Sequence, residues 1–189
     1  MPAPLIRPRF TYADLCALPA DGKRYALHEG EIVVSPSPSL AHQRLVRVLL
    51  LRLAAACPAD VEIVPSPMDV VLADDTVLQP DLLLVSAARR SILQDVVRGA
   101  PDAVIEVLSP STRLLDRNLK LTLYARHGVD TCWLVDPQTR TVECYQRDAQ
   151  EGAFRREATL DATATLTTPL LPALRLDVAA LFADALGDA

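Results

Sequence analysis

The sequence predicts an α/β (α+β) fold: a mixed β-sheet with helices packed on it. Three observations carry this. Short aliphatic runs come in pairs around turn residues, as in Arg24–His28 and Ile32–Val34 on either side of Glu29-Gly30. An apolar run from Ala103 to Leu108 is followed by a break, a helical pattern and a second apolar run, which is the order of a strand-helix-strand crossover. A helical stripe of Leu45, Val48, Leu49, Leu53 and Ala56 supplies one of the helices such a sheet needs on its face.

Taken in order, residues 1–9 read as a flexible arm. Thr11 caps a short helix to about Leu18, with Asp14 at the capping-box position and Phe10 placed as a staple. The hairpin around Glu29-Gly30 follows. Ser39 is placed to cap a helix over Leu40–Cys57, which Pro58 stops; His42, Arg44, Arg47 and Arg52 fall largely off its apolar stripe. Strands are predicted at Val61–Val64, Met68–Leu72 and Val77–Val85, the last containing Asp81. Ala87–Gly99 reads as a surface helix or loop. Ala103–Leu108 is a strand carrying Glu106, and a helix runs from about Thr112 to Arg126, ending at His127-Gly128. Thr131–Val135 and Thr141–Gln146 form an antiparallel pair. A weak hairpin around Phe154–Leu160 and a helix over Asp177–Leu186 complete a chain read as one domain, 1–189.

Composition narrows the function. A chain of 189 residues can bury roughly 70% of its unfolded surface. The net charge of -5 rules out a coat of positive charge but leaves room for a local basic patch. One Trp, four Tyr and three Phe are too few for a stacking platform that binds single strands. Cys16, Cys57, Cys132 and Cys144 form no C-x-x-C pair, so a zinc knuckle is not expected, and all four read as reduced thiols of a cytoplasmic protein. MPAPLIRPRF lacks the apolar core of a signal peptide. Arg47 and Arg52 interrupt the longest apolar run, so no membrane span is expected.

Two acids stand out. Asp81 follows a proline at the head of Leu82-Leu83-Leu84-Val85, and Glu106 lies inside the run Ala103–Leu108. A lone buried charge is costly, so an acid inside such a strand must meet solvent, a partner or a metal. Two carboxylates on adjacent strands, with the Val107 carbonyl, would offer three hard oxygens to Mg²⁺ or Mn²⁺. Such an ion lowers the pKa of water and neutralises charge on a phosphodiester, and a nearby cation would complete the site.

Further pieces extend the pattern: Arg24-Tyr25-Ala26-Leu27 before Glu29-Gly30-Glu31-Ile32, Ser35-Pro36 with His42, Gln79-Pro80-Asp81, Ala100-Pro101-Asp102 leading to Glu106 and Ser109-Pro110-Ser111-Thr112, then Asp116, Lys120, Tyr124, Gly128-Val129 and Trp133-Leu134-Val135-Asp136-Pro137. In this order they resemble a bacterial restriction-endonuclease family, a branch of the PD-(D/E)xK nuclease superfamily. The resemblance covers residues 24 to about 147. It implies a restriction-endonuclease-like sheet, metal-dependent hydrolysis of DNA, and a catalytic set of Asp81, Glu106 and Lys120. The superfamily lysine two residues after the second acid is here Leu108, and Lys120 on the following helix is its substitute. The family glutamate at position 26 is here Ala26, which weakens the expectation of turnover.

Rival readings stand beside this one. His42 and Arg44 are placed as substrate contacts, against a capped surface histidine and a solvated helix face. Tyr124 and Trp133 read as packing. A non-catalytic nucleic-acid-binding or regulatory domain on the same fold is the alternative function, and a small-molecule phosphodiesterase a third. A two-fold homodimer is the simplest assembly for cutting both strands of a duplex.

Overall fold

The computed structural model describes residues 9–109 and 116–187, with the Asp116 side chain outside that description. Helix α1 (Tyr12–Cys16) has the expected capping box between Thr11 and Asp14. The Phe10 ring is exposed and does not staple it; the Phe10 N–H instead donates to the Gly30 carbonyl at 2.9 Å. The hairpin β1 (Arg24–His28) and β2 (Glu31–Ser35) turns through Glu29 and Gly30, at φ 48° and 84°. Two successive positive φ values match the right-handed twist of the flanking strands. A Cβ at residue 30 would also fall 2.8 Å from the Arg9 side chain, so glycine is required twice over.

Helix α2 (Leu40–Ala56) starts at Ser39, whose hydroxyl accepts from the His42 N–H. Then come β3 (Val61–Pro65), β4 (Val70–Ala73), β5 (Thr76–Leu78) and β6 (Leu82–Ser86). A 3-10 turn over Ala87–Ile92 leads to β7 (Val97–Arg98) and β8 (Ala103–Val107). A π-helical turn, Asp116–Lys120, runs into α3 (Leu121–Arg126). The chain closes with β9 (Thr131–Asp136), β10 (Thr141–Asp148), β11 (Ala153–Leu160), β12 (Thr165–Thr168), β13 (Leu171–Asp177) and α4 (Val178–Leu186).

A six-stranded sheet runs β11-β10-β9-β8-β6-β3, and a five-stranded sheet runs β2-β1-β5-β4-β7. In the larger sheet β8 and β9 are parallel and the other pairs antiparallel, so the sheet is mixed as expected. Successive strand residues face opposite sides. Leu82, Leu84, Ile105, Trp133 and Val135 pack against Leu45, Leu49 and Leu53 of α2 and Phe182 of α4. Burying each of those leucines contributes about 1.5–3 kcal/mol. On the opposite side, Leu83, Val104 and Leu134 pack against Leu123 and Tyr124 of α3 and Val70 and Leu78 of the smaller sheet.

Four expectations are corrected. Val77–Val85 is not one strand: Pro80 has no N–H to give a ladder, and the chain passes from the small sheet to the large one through Gln79-Pro80-Asp81. His42 is not off the α2 stripe but buried, one turn before Leu45 and two before Leu49. The helix read as starting at Thr112 is described only from Asp116, and its first described turn is π rather than α. The weak hairpin at Phe154–Leu160 is the single long strand β11, paired along its length with β10. A further hairpin, β12–β13, contributes Leu166, Leu171, Leu174 and Leu176 to the core.

No helix of the described residues is long and apolar enough to cross a membrane. The cysteines are all free thiols; Cys16 is exposed and Cys132 buried. Burial pushes the Cys144 thiol up to about 11. Thiolate, not thiol, is the nucleophile. At pH 8 iodoacetamide is therefore expected to modify Cys16 rapidly while Cys132 and Cys144 stay unmodified until denaturant is added, a pattern read directly by peptide mass mapping.

Candidate active site

The two acids meet where β6 begins. β6 pairs antiparallel with β8, Leu82 opposite Ile105, and one further step of that register sets Asp81 opposite Glu106. Asp81 lies just before the strand, so its side chain replaces the missing ladder acceptor: Oδ2 takes the Val107 N–H at 2.8 Å. Ser66 N–H holds the Asp81 carbonyl at 2.9 Å. Asp81 Oδ2 also bonds His42 Nε2 at 3.0 Å, and Oδ1 takes no hydrogen bond among the described residues. Asp81 and Glu106 are 6% and 3% exposed, far below what carboxylates usually show, and each is held by named partners.

Helix α3 supplies the partners of Glu106. Lys120 Nζ lies 3.0 Å from Glu106 Oε2, and the Tyr124 hydroxyl donates to Glu106 Oε1 at 2.6 Å. Residues four apart share a helix face, so Lys120 and Tyr124 reach the same carboxylate. Leu123 is fully buried under the sheet, and Lys120 flanks it with a side chain only 13% exposed. The lysine thus lays its stem along the packed face with its ammonium at the acid.

A cavity of about 300 Å³ opens onto these groups. His42, Asp81, Glu106, Val107 and Lys120 line it together with Gln79, Arg24, Ser109 and the Ser35–Ser39 loop. Of the expected site residues, Arg44 is not brought in: it sits on the exposed side of α2, away from the cavity lining. His42 is brought in, and its Nδ1 is buried without a hydrogen-bond partner among the described residues. That favours the tautomer that donates from Nε2 to Asp81, since an unpaired acceptor nitrogen costs less than an unpaired N–H.

Three residues were quoted in the sequence pattern but given no role at the site. Tyr124 is fully buried, but its hydroxyl makes the shortest contact to Glu106, so it is more than packing; its i+4 spacing from Lys120 was the available signal. Arg24 lines the cavity on β1 and donates to the Pro36 carbonyl at 3.2 Å; its place two residues before Ala26, on the same strand face, was the available signal. Gln79 bonds Asp69 Oδ1 at 2.7 Å and the Tyr25 carbonyl at 3.3 Å, fixing the corner before Asp81. Tyr124→Phe is expected to lower stability by about 1 kcal/mol, the net value of one hydrogen bond, with the midpoint of urea unfolding as the measure.

The donor set fits a hard divalent ion. Two carboxylates and the Val107 carbonyl would offer oxygen donors, and such an ion keeps several of its waters. Among the described residues no group of three or more His, Cys, Asp or Glu gathers into an all-protein cage. The fit is to a partly hydrated ion, not to a structural zinc.

A mixed sheet thus brings Asp81, just before β6, beside Glu106 on β8, with Lys120 at the second acid. The family model for Uma2, described as putative restriction endonuclease, matches residues 11–179, and the chain belongs to that family. The crystal structure of a putative nuclease of the family DUF820 from Anabaena variabilis ATCC 29413 shares the fold, with a TM-score of 0.78 at 21% identity over 94% of this chain and 99% of that one. No curated protein matches the chain.

Proposed function

We propose that this protein is a divalent-metal-dependent phosphodiesterase that cleaves DNA as an endonuclease. The observation that carries the reading is the Lys120 ammonium at Glu106 in the same cavity as Asp81, whose Oδ1 takes no hydrogen bond among the described residues. Asp81, Glu106 and the Val107 carbonyl would hold Mg²⁺ or Mn²⁺, which would supply an activated water and neutralise phosphate charge. The protein's own groups do the rest. His42 and the Val107 N–H orient Asp81 so that Oδ1 faces the cavity. Tyr124 fixes Glu106 from behind. Lys120 is placed to donate to a phosphate oxygen as negative charge builds there. Arg24 provides a second cation in the cavity, and Arg44 would meet nucleic acid only beyond it.

A second reading, a binding or regulatory domain without turnover, is favoured by two positions. Leu108 is 2% exposed in the core and Ala26 is buried, so neither offers the charged group the superfamily pattern places there. Incubation of supercoiled plasmid and a labelled oligonucleotide with Mg²⁺ or Mn²⁺ decides between them. Cleavage that vanishes in EDTA supports the nuclease; retention of DNA without cleavage supports the binding domain. A two-fold dimer in the cytoplasm is the assembly we propose for duplex cleavage, and sedimentation as monomer alone at tens of micromolar would remove it.

A further inference from the structure

Outside the cavity the protein carries a second group of buried charges, centred on Arg117 in the π-helical turn. Its Nη1 donates to both Glu143 oxygens at 2.7 Å, and its Nη2 to Asp136 Oδ2 at 3.2 Å. Asp136 ends β9 and is fully buried; Glu143, on β10, is 6% exposed. Tyr145 donates to Glu143 Oε2 at 2.8 Å, and Arg156 stands 3.7 Å from Oε1. Burial opposes the Arg117 charge, but the bonds and charges of Glu143 and Asp136 more than offset it and raise its pKa.

We infer that Arg117 is a positioning residue for Lys120. Residues 117, 120 and 124 recur at three and four, so one face of the π turn and α3 carries all three. Arg117 ties that face to the β9–β10 hairpin, while Lys120 and Tyr124 tie it to Glu106 on β8. π-Helical turns concentrate at functional sites because their altered register re-aims side chains. Here the turn sits between the guanidinium and the ammonium, so its geometry decides whether Lys120 lands on Glu106. With Nη1 on Glu143 and Nη2 on Asp136, the planar guanidinium is held at two points, which fixes direction as well as distance.

The inference rests on the Lys120–Glu106 contact and is tested without turnover, so it can fail while the nuclease reading stands, and the reverse. The sequence contains two lysines, Lys23 and Lys120, and Lys23 is exposed. Limited acetylation with an N-hydroxysuccinimide ester, followed by peptide mass spectrometry, therefore reports Lys120 against an internal reference. Iodoacetamide modification of buried Cys132 reports global opening in the same sample. Arg117→Met is expected to raise the Lys120/Lys23 labelling ratio roughly fivefold or more, by local rather than global opening, while Cys132 stays protected. Glu143→Gln keeps the arginine, loosens the same fork and should shift the ratio in the same direction, which covers the case that Arg117→Met does not fold. An unchanged ratio in both variants overturns the inference. So does a rise that appears only in step with Cys132 modification, because Arg117 would then hold the fold and not the aim of Lys120.

Discussion

Asp81→Ala is expected to reduce Mn²⁺ affinity on the order of a hundredfold or more, beyond the loss caused by removing an outer-sphere partner. Any metal-dependent cleavage should fall to background. The reason is geometric: Asp81 lines the cavity and its Oδ1 takes no hydrogen bond among the described residues, while Oδ2 is already committed to His42 and the Val107 N–H. The same change leaves that buried N–H unpaired, at a cost of about 1–3 kcal/mol. Asp81→Asn separates the two effects. An amide oxygen can still accept from Val107, so unfolding in urea should move little, whereas titration calorimetry with Mn²⁺ should show the charge-dependent loss. Wild-type metal affinity in Asp81→Asn would remove Asp81 from the site.

Lys120→Ala should act in the opposite sense on metal and on turnover. Glu106 has both oxygens engaged, Oε2 by Lys120 and Oε1 by Tyr124. An ion that takes Glu106 as ligand must share Oε2 with an ammonium 3.0 Å away. Removing that cation should strengthen Mn²⁺ binding by roughly tenfold, about the effect of one nearby charge on a partly buried carboxylate. Turnover should fall by about 10²–10³, the usual loss when one donor to a developing oxyanion is removed. Weaker metal binding together with unchanged cleavage would show that Lys120 is only a structural partner of Glu106.

Much of the site was legible because local chemistry fixed it. A carboxylate inside the apolar run around Glu106 demanded a partner, whereas the corner that Pro80 makes was read through as one strand. Ser39 and Pro58 bounded α2 for ordinary capping reasons, and Asp177 does the same for α4, whose Ala180 N–H it accepts at 2.8 Å. What escaped depends on contacts distant in sequence. His42 was assigned to the wet side of α2 because polarity was weighed above its place one turn before Leu45. Only the fold shows that Asp81 waits there. The Tyr124 hydroxyl and the Arg117 fork were invisible for the same reason: their partners lie on strands that spacing along α3 does not reveal. The hairpin β12–β13 was missed because its threonines mask the leucines that join the core.

The parallel pairing of β8 with β9 has a consequence for how the protein is made. Every residue proposed for the site, from His42 to Tyr124, leaves the ribosome before β9 does. Yet β8 needs β9 beside it, with Glu106 opposite Leu134, and Arg117 needs Asp136 and Glu143. A nascent chain stalled at Arg126 would therefore carry all the chemistry in its sequence and none of it in register. On the proposed function, hydrolytic capacity would be deferred to the last third of translation, and an incomplete polypeptide would lack it.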